Sequence, residues 1–360
     1  MNRLFVRSSS ILIAYTTVIF LAPVGVVMLT IAIRGIKVFR ISLVLGLLTF
    51  ASPLVQSAQT DAETIKIETS LVWVPVSVKA KNGGGIAGLT KDRFRIFEDG
   101  LEQGITDFES QGAAITVALV IDMSDSARIS LADMRKAASA FIDKLESRDK
   151  ALIVAFDKNI HRVIGATDDR DMLKLGLAGI STGGGTALYD AVEHLMARSF
   201  DGISGRKAVI LLTDAIDTSS VKATFQSSAD QAAAGNIAFF PIQFQPEAIS
   251  RLRVAPENNQ GGTVTLITTP SGESIAAAHQ RGTRYLRLLA DSSGGRFQLA
   301  DSTKNLEAAF TQIAAELRQL YYIGYYSNKE ATKPEKRKLV VKVDVPNADV
   351  DSRDSYIAKP

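Results

Sequence analysis

The 360-residue chain contains no cysteine. Disulfides, thiolate metal sites and a cysteine nucleophile are therefore excluded. The compartment is not reported by that absence, because exported bacterial-type proteins often lack cysteine too. Histidine is almost as scarce: His161, His194 and His279 are scattered over a strand-like, a helical and a loop-like stretch. A catalytic triad needs an imidazole beside its nucleophile, and nothing in this spacing supplies one. Acids are missing altogether from the first sixty residues, which hold Arg3, Arg7, Arg34, Lys37 and Arg40. Without those five, the formal charge of +3 becomes −2, with 36 basic residues against 38 acidic ones. No basic stripe remains in the body, which excludes the electrostatic footprint of a nucleic-acid partner.

The acid-free segment reads as targeting, not fold. Residues 11–33 form an uncharged, mostly apolar run long enough to span a bilayer. RGIKVFR (34–40) then precedes a second apolar run, ISLVLGLLTFASPLV (41–55), and the small residues Ser57 and Ala58. A basic segment, a short apolar core and a small-residue exit compose a signal peptide. Positive charge flanks the first run on both sides, and the positive-inside tendency cannot keep both flanks in the cytoplasm. Two readings of residues 1–58 follow. Translation starts at Met28 and residues 28–58 are cleaved, or the segment is retained as an anchor that associates the N-terminus with a membrane. Either one places the body outside the cytoplasm, in the periplasm, in the cell envelope or secreted.

From residue 64 to about 112 the pattern is strand-like. IKIETSLVWVPVSVKA is rich in β-branched residues with partial alternation, KNGGG (81–85) is a turn, and Asp99-Gly100 marks a hairpin or tight turn. Residues 321–360 repeat that character in YYIGYYS and KLVVKVDVP, where the four tyrosines are two faces of one strand. Between them, over 113–320, strands alternate with amphipathic helices, the signature of a parallel sheet covered on both faces. Residues 246–281 lack periodicity and hold several prolines and glycines, so they read as a surface insertion. The expected fold class is α/β: a Rossmann-like, doubly wound, mostly parallel sheet, with a small β-sandwich-like domain formed by both chain ends.

In an open doubly wound sheet, ligands sit at the carboxyl ends of the strands. Three polar clusters fall there: Asp122-Met123-Ser124-Asp125-Ser126, the glycine loop Ser181-Thr182-Gly183-Gly184-Gly185-Thr186, and Thr213-Asp214. All their candidate ligands are oxygens, the preference of hard cations such as Mg²⁺. Three glycines before Thr186 suggest a loop able to move its hydroxyl. The loop lacks the lysine of a phosphate-binding P-loop. Asp133 and Asp190 fall in helix N-terminal turns, and Asp217 reads as a solvated loop acid or an outlying helper of the site.

The order D-x-S-x-S, then a threonine after a glycine loop, then an aspartate after a buried strand resembles the von Willebrand factor A domain. The likeness is specifically to the metal-ion-dependent adhesion site of that family, and it spans about residues 113–320. The flanking segments LTKDRFRIFEDG and YYIGYY are similar to those of exported A-domain proteins of Acidobacteria. The resemblance implies that Ser124, Ser126 and Thr186 touch a metal through their hydroxyls, while Asp122 and Asp214 hold it directly or through water. Mg²⁺, Mn²⁺ and Ca²⁺ all suit such a set. Two positions depart from the family's commonest pattern, since Asp125 and Ala215 stand where glycine is frequent. Asp125 adds negative charge at the rim.

The function so implied is a non-enzymatic, metal-dependent binding module whose protein partner presents an Asp or Glu. The rivals are a metal-assisted hydrolase or phosphatase and a scaffold with a vestigial site. An aspartyl phosphatase wants a second carboxylate two residues after Asp122, where Ser124 stands. A hydrolase wants a general base, and no histidine or glutamate lies within the three clusters.

Overall fold

The computed structural model describes residues 71–128, 130–246 and 268–360, together with two short strands upstream. Those two, β1 (Thr17–Ile19) and β2 (Met28–Thr30), pair antiparallel within a separate unit, Met1–Ile65. The rest of the apolar run 11–33, and the signal-type segment 34–58, lie outside the described residues. Among the described residues, no helix is long and apolar enough to cross a membrane.

The second unit, Lys66–Pro360, is organised around one strand. Every residue of β7 (Ile115–Asp122) is buried, as expected of an apolar run covered on both faces. Around it lie β8 (Lys150–Phe156), β9 (Ile160–Thr167), β10 (Arg206–Thr213), β11 (Ala238–Phe244) and β12 (Gln298–Ala300), in the order β12-β11-β10-β7-β8-β9. All neighbours run parallel except β9, an antiparallel edge strand. Successive side chains of a strand face opposite sides, and the two cores follow that alternation. Val117, Leu119 and Ile121 pack with α1 (Leu131–Ile142), α2 (Arg170–Gly179) and α6 (Thr303–Gln319). Ala118 and Val120 pack with α3 (Leu188–His194), α4 (Phe225–Ala234) and α5 (Ile275–Ser293). The doubly wound α/β expectation therefore holds.

The chain ends build the expected sandwich. One antiparallel sheet has the order β15-β3-β13-β6, from Ala348–Ser352, Leu71–Ala80, Leu320–Tyr326 and Ile105–Glu109. The other has the order β16-β14-β4-β5, from Ser355–Ala358, Glu335–Val343, Phe94–Glu98 and Leu101–Gln103. Asp99 (φ 49°) and Gly100 (φ 86°) join β4 to β5, and two consecutive left-handed residues are what a tight primed hairpin turn needs. The tyrosines of β13 divide as alternation requires. Tyr321 and Tyr325 enter the sandwich core, and Tyr322 packs into the first core of the parallel sheet.

One boundary differs from expectation. The segment read as insertion 246–281 ends in helix, because α5 begins at Ile275 with Ser274 as its N-cap, Ser274 Oγ accepting from Ala277 N at 3.2 Å. Alanines and a glycine in its first two turns carry little hydrophobic contrast, so periodicity hid a helix that propensity and capping secure. Residues 247–267 lie outside the described residues.

At the sandwich centre, the buried Glu98 carboxylate accepts from Tyr325 Oη at 2.7 Å, Tyr356 Oη at 2.9 Å, Ser327 Oγ at 2.6 Å and Arg337 Nη1 at 2.9 Å. Removing one member of such a set strands the others away from water, which costs about 3–5 kcal/mol. Glu98→Ala should lower the unfolding free energy by that amount, measured by urea denaturation. A change under about 1 kcal/mol, the size of an exposed pair, would show that water replaces the carboxylate.

Candidate functional site

Asp122 ends β7 with its side chain completely buried. A buried carboxylate must be hydrogen-bonded, and both oxygens are. Oδ1 accepts from Ser124 N at 2.9 Å, which turns the chain sharply after the strand. Oδ2 accepts from Thr213 Oγ1 at 2.6 Å, at the last residue of the neighbouring β10. Thr213 Oγ1 in turn accepts from Ala215 N at 2.9 Å. Asp122 thus shapes both its own loop and the one carrying Asp214. Ser124 Oγ and Ser126 Oγ lie 2.9 Å apart, and Ser126 and Asp214 line one shallow depression. Asp214 Oδ1 accepts from Ile216 N at 3.2 Å.

The glycine loop is pinned, contrary to the looseness expected of it. Gly183 N donates to Met123 O at 2.8 Å, and Lys158 N donates to Gly184 O at 3.2 Å. A Cβ on Gly183 would lie 1.8 Å from Asp157 Oδ2, and one on Gly185 would lie 2.1 Å from Ser219 Oγ. Gly183 is required for close approach, and Gly185 for close approach together with a φ of 35°. Thr186 is fixed on both sides as well. Its N donates to Thr218 Oγ1, and its carbonyl accepts from Thr218 N and Ser219 N, each at 2.9 Å.

Asp122, Ser124, Ser126 and Asp214 are thus joined by side-chain contacts, a mutual electrostatic influence and a shared depression. Thr186 is tied through backbone bonds to Thr218 and Ser219, in the loop that follows Asp214. Asp125 lies on the outside, exposed, with Arg128 Nη2 donating to it. Asp217 is not a solvated acid. Its Oδ1 accepts from Leu188 N at 2.8 Å and Ser220 Oγ at 2.5 Å, so it caps α3 from a distant loop; burial pushes its pKa up. Asp190 does sit in the first turn of α3, but its carboxylate accepts from Val221, Lys222 and Ala223 amides and fixes that loop instead.

Sequence reading passed over Asp157 and gave no role to Thr213, which it placed beside Asp214. Thr213 bonds Asp122 directly, and Asp157 backs the glycine loop while accepting from Asn159 N at 2.6 Å. Asp157 ends the buried strand KALIVAF as Asp122 ends ITVALVI, and that parallel was the available signal. Ala215 explains its own oddity: its φ is 72°, the left-handed region where glycine is the default.

The electrostatics centre on two buried carboxylates. Burial, and next the Asp214 carboxylate, push the Asp122 pKa up to about 7. Among the described residues, no group of three or more His, Cys, Asp or Glu side chains is placed to hold a metal. A cation here would need the hydroxyls as well as the two acids. The donor set fits such an ion: it is all oxygen, it includes two buried carboxyl groups, and it adds neutral hydroxyls, of which Ser124 and Thr186 are buried as well.

Residues 117–216 match the family model of the von Willebrand factor type A domain. Among solved structures, the chain is similar to a von Willebrand factor type A protein from Catenulispora acidiphila. That likeness has 14% identity over 81% of this chain and 74% of that one, with a TM-score of 0.44. It is also similar to BatB from Bacteroides thetaiotaomicron, at 19% identity over 56% of this chain and 98% of that one, with a TM-score of 0.40. A third is proximal thread matrix protein 1 from the mussel byssus, in a form described with a zinc-occupied MIDAS motif. Its identity is 14% over 60% of this chain and 48% of that one, with a TM-score of 0.44. All three likenesses are distant. No curated protein matches the chain.

The raised Asp122 pKa makes stability depend on pH in a definite direction. An unfolded aspartate loses its proton near pH ~4, whereas the folded one keeps it until about pH 7. Between those values the folded state holds the extra proton, so metal-free stability falls as pH rises, by up to about 1.4 kcal/mol per pH unit. Urea denaturation in EDTA at pH 5 and pH 7 should show that fall in the wild type and its loss in Asp122→Asn. A wild-type slope no steeper than the variant's would mean that Asp122 is ionised throughout.

Proposed function

We propose that the von Willebrand factor type A domain of this chain is a metal-dependent protein-binding module of the adhesion type. Asp122, Ser124, Ser126, Thr186 and Asp214 would hold a divalent cation, Mg²⁺ or alternatively Mn²⁺ or Ca²⁺. An Asp or Glu of a partner protein would complete its coordination. The observation that carries the reading is the pair of buried carboxylates, Asp122 and Asp214, at the ends of adjacent parallel strands. Two acids short of solvent repel each other, and a hard cation relieves both costs at once. Three of the proposed ligands are neutral hydroxyls, which leaves the ion electropositive enough to attract an anionic oxygen. The bound ion supplies that attraction. The chain's own residues supply its place: Thr213 and Ser124 N aim Asp122, and the pinned glycine loop presents Thr186. The acid-free, signal-type N-terminus supports export of the body to the cell surface, the periplasm or the medium.

Metal should stabilise the fold, because ligand at about 100 times its Kd adds about 2.7 kcal/mol when only the native state binds. Thermal melts in millimolar Mg²⁺ should therefore exceed those in EDTA, and Asp122→Ala should erase the difference. Identical wild-type melts in both buffers would remove the cation from the account.

Thr186→Ala is expected to stay folded in EDTA, losing no more than about 1–2 kcal/mol, since its backbone ties survive and only a buried hydroxyl and methyl are lost. In Mg²⁺ it should capture less partner from a native envelope extract. Replacing one acidic residue of the captured partner by its amide should then match the effect of EDTA on the wild type. Capture that survives EDTA would place the interface elsewhere.

A further inference from the structure

The helix α5 meets the site from behind through three consecutive residues. Arg281 Nη1 donates to Tyr189 Oη at 2.5 Å, just beyond the glycine loop, while Arg281 Nη2 is held by Glu273 Oε2 at 2.7 Å. Thr283 Oγ1 lies 2.9 Å from both Gln243 Oε1 and the His279 carbonyl of its own helix, so its one proton is shared between them, and Gln243 Nε2 donates to the Asp214 carbonyl at 3.4 Å. Between them lies Gly282, buried in the helix interior, where glycine is unfavourable relative to alanine. Its place is explained by what it touches. A Cβ on Gly282 would sit 2.0 Å from Ala215 O and 2.7 Å from Ala215 Cβ. Ala215 is the residue after Asp214, buried, with φ 72°. An L-residue enters that conformation reluctantly, so something must hold it there. The notch at Gly282 admits the Ala215 methyl and carbonyl, and Thr213 Oγ1 receives the Ala215 amide.

We propose that Gly282 and Thr283 are positioning residues for Asp214. Gly282 keeps the following residue left-handed, and Thr283 holds the Asp214 carbonyl through Gln243. The carboxylate direction is then set from α5, a helix that carries none of the predicted ligands. This rests on the cation reading of Asp122 and Asp214, and it adds a second layer that neither the motif nor its spacing contains.

The test uses the full chain and two readouts. Hydrogen exchange in EDTA reports the amides of Ala215 and Ile216, which Thr213 and Asp214 accept. Calorimetric titration with Mg²⁺ reports the site. Thr283→Val preserves shape and breaks the relay; Gly282→Ala fills the notch. Both should deprotect the two amides and weaken Mg²⁺ binding about tenfold or more, the range for residues that orient metal ligands. Thr283→Ser should restore both readouts, and Ala215→Gly added to Gly282→Ala should recover part of each. If Gly282→Ala does not fold, the Thr283 pair decides alone. Variants that melt lower but keep the wild-type Mg²⁺ Kd and amide protection would overturn the proposal, leaving these residues as packing only. A wild type that takes up no Mg²⁺ would instead sink the cation reading, and the exchange result would still say whether α5 holds the Asp214 loop.

Discussion

A carboxylate sealed at the end of a buried strand is the constraint from which the rest of the upper face follows. Asp122 has no exposed surface, so its two oxygens had to be satisfied from inside the protein. The partners it found are the Ser124 amide and the Thr213 hydroxyl. The first bends its own chain into the serine-bearing turn, and the second reaches across to β10. Thr213 then turns the chain that carries Asp214. One desolvated acid therefore organises two of the three loops at the strand ends. The third follows because Gly183 bonds Met123, the residue between Asp122 and Ser124.

The scaffold beneath is stiffened by long side chains that reach backbone carbonyls. Arg206 is buried at the start of β10 and donates to Ala113 O at 2.9 Å and Leu317 O at 2.6 Å, with its guanidinium 4.8 Å from the Tyr322 ring centre. Arg353 donates to Trp73 O at 2.7 Å and to Gly235 O at 3.0 Å, tying the sandwich to the end of α4. Helix carbonyls at a C-terminus lack intrahelical partners, and cationic donors suit them. The last helix, α6, passes into β13 with no residue between Gln319 and Leu320. The parallel sheet and the sandwich are consequently joined both by the continuous chain from α6 to β13 and by buried arginines.

The strands and most helices were legible because alternation and amphipathicity encode burial directly, as in ITVALVID and NLEAAFTQIAAELRQL. The candidate site stood out for a different reason: hydroxyls and acids cluster immediately after apolar strands, as in Asp122, Ser124 and Ser126. What stayed hidden were contacts between residues distant in sequence. Asp217 looks like a loop acid until Leu188 N is seen donating to it, 29 positions away. The glycines before Thr186 signal either mobility or tight packing, and only the neighbouring Asp157 and Ser219 decide for packing. The start of α5 was missed because its first turns bury little apolar surface. The residues behind Asp214 were beyond reach for the same reason, since nothing local marks Gly282 or Thr283 as anything but helix.

The charge pattern at the rim bears on the proposed partner. Read alone, Asp125 would repel an approaching carboxylate and hold the affinity down. It is engaged by Arg128, three residues on, and both side chains are more than half exposed, at 58% and 68%. Such a pair contributes little to stability, yet the opposite charges offset each other at distances greater than their own separation. The other two carboxylates of the site, Asp122 and Asp214, lie deep, where a cation would sit, and not at the mouth, where a partner would arrive. Depth separates two demands that would otherwise conflict: carboxylate oxygens for the ion and weak repulsion for an acidic ligand. The separation follows from burial, because Asp122 and Asp214 are desolvated while Asp125 stays in water with its own counter-ion.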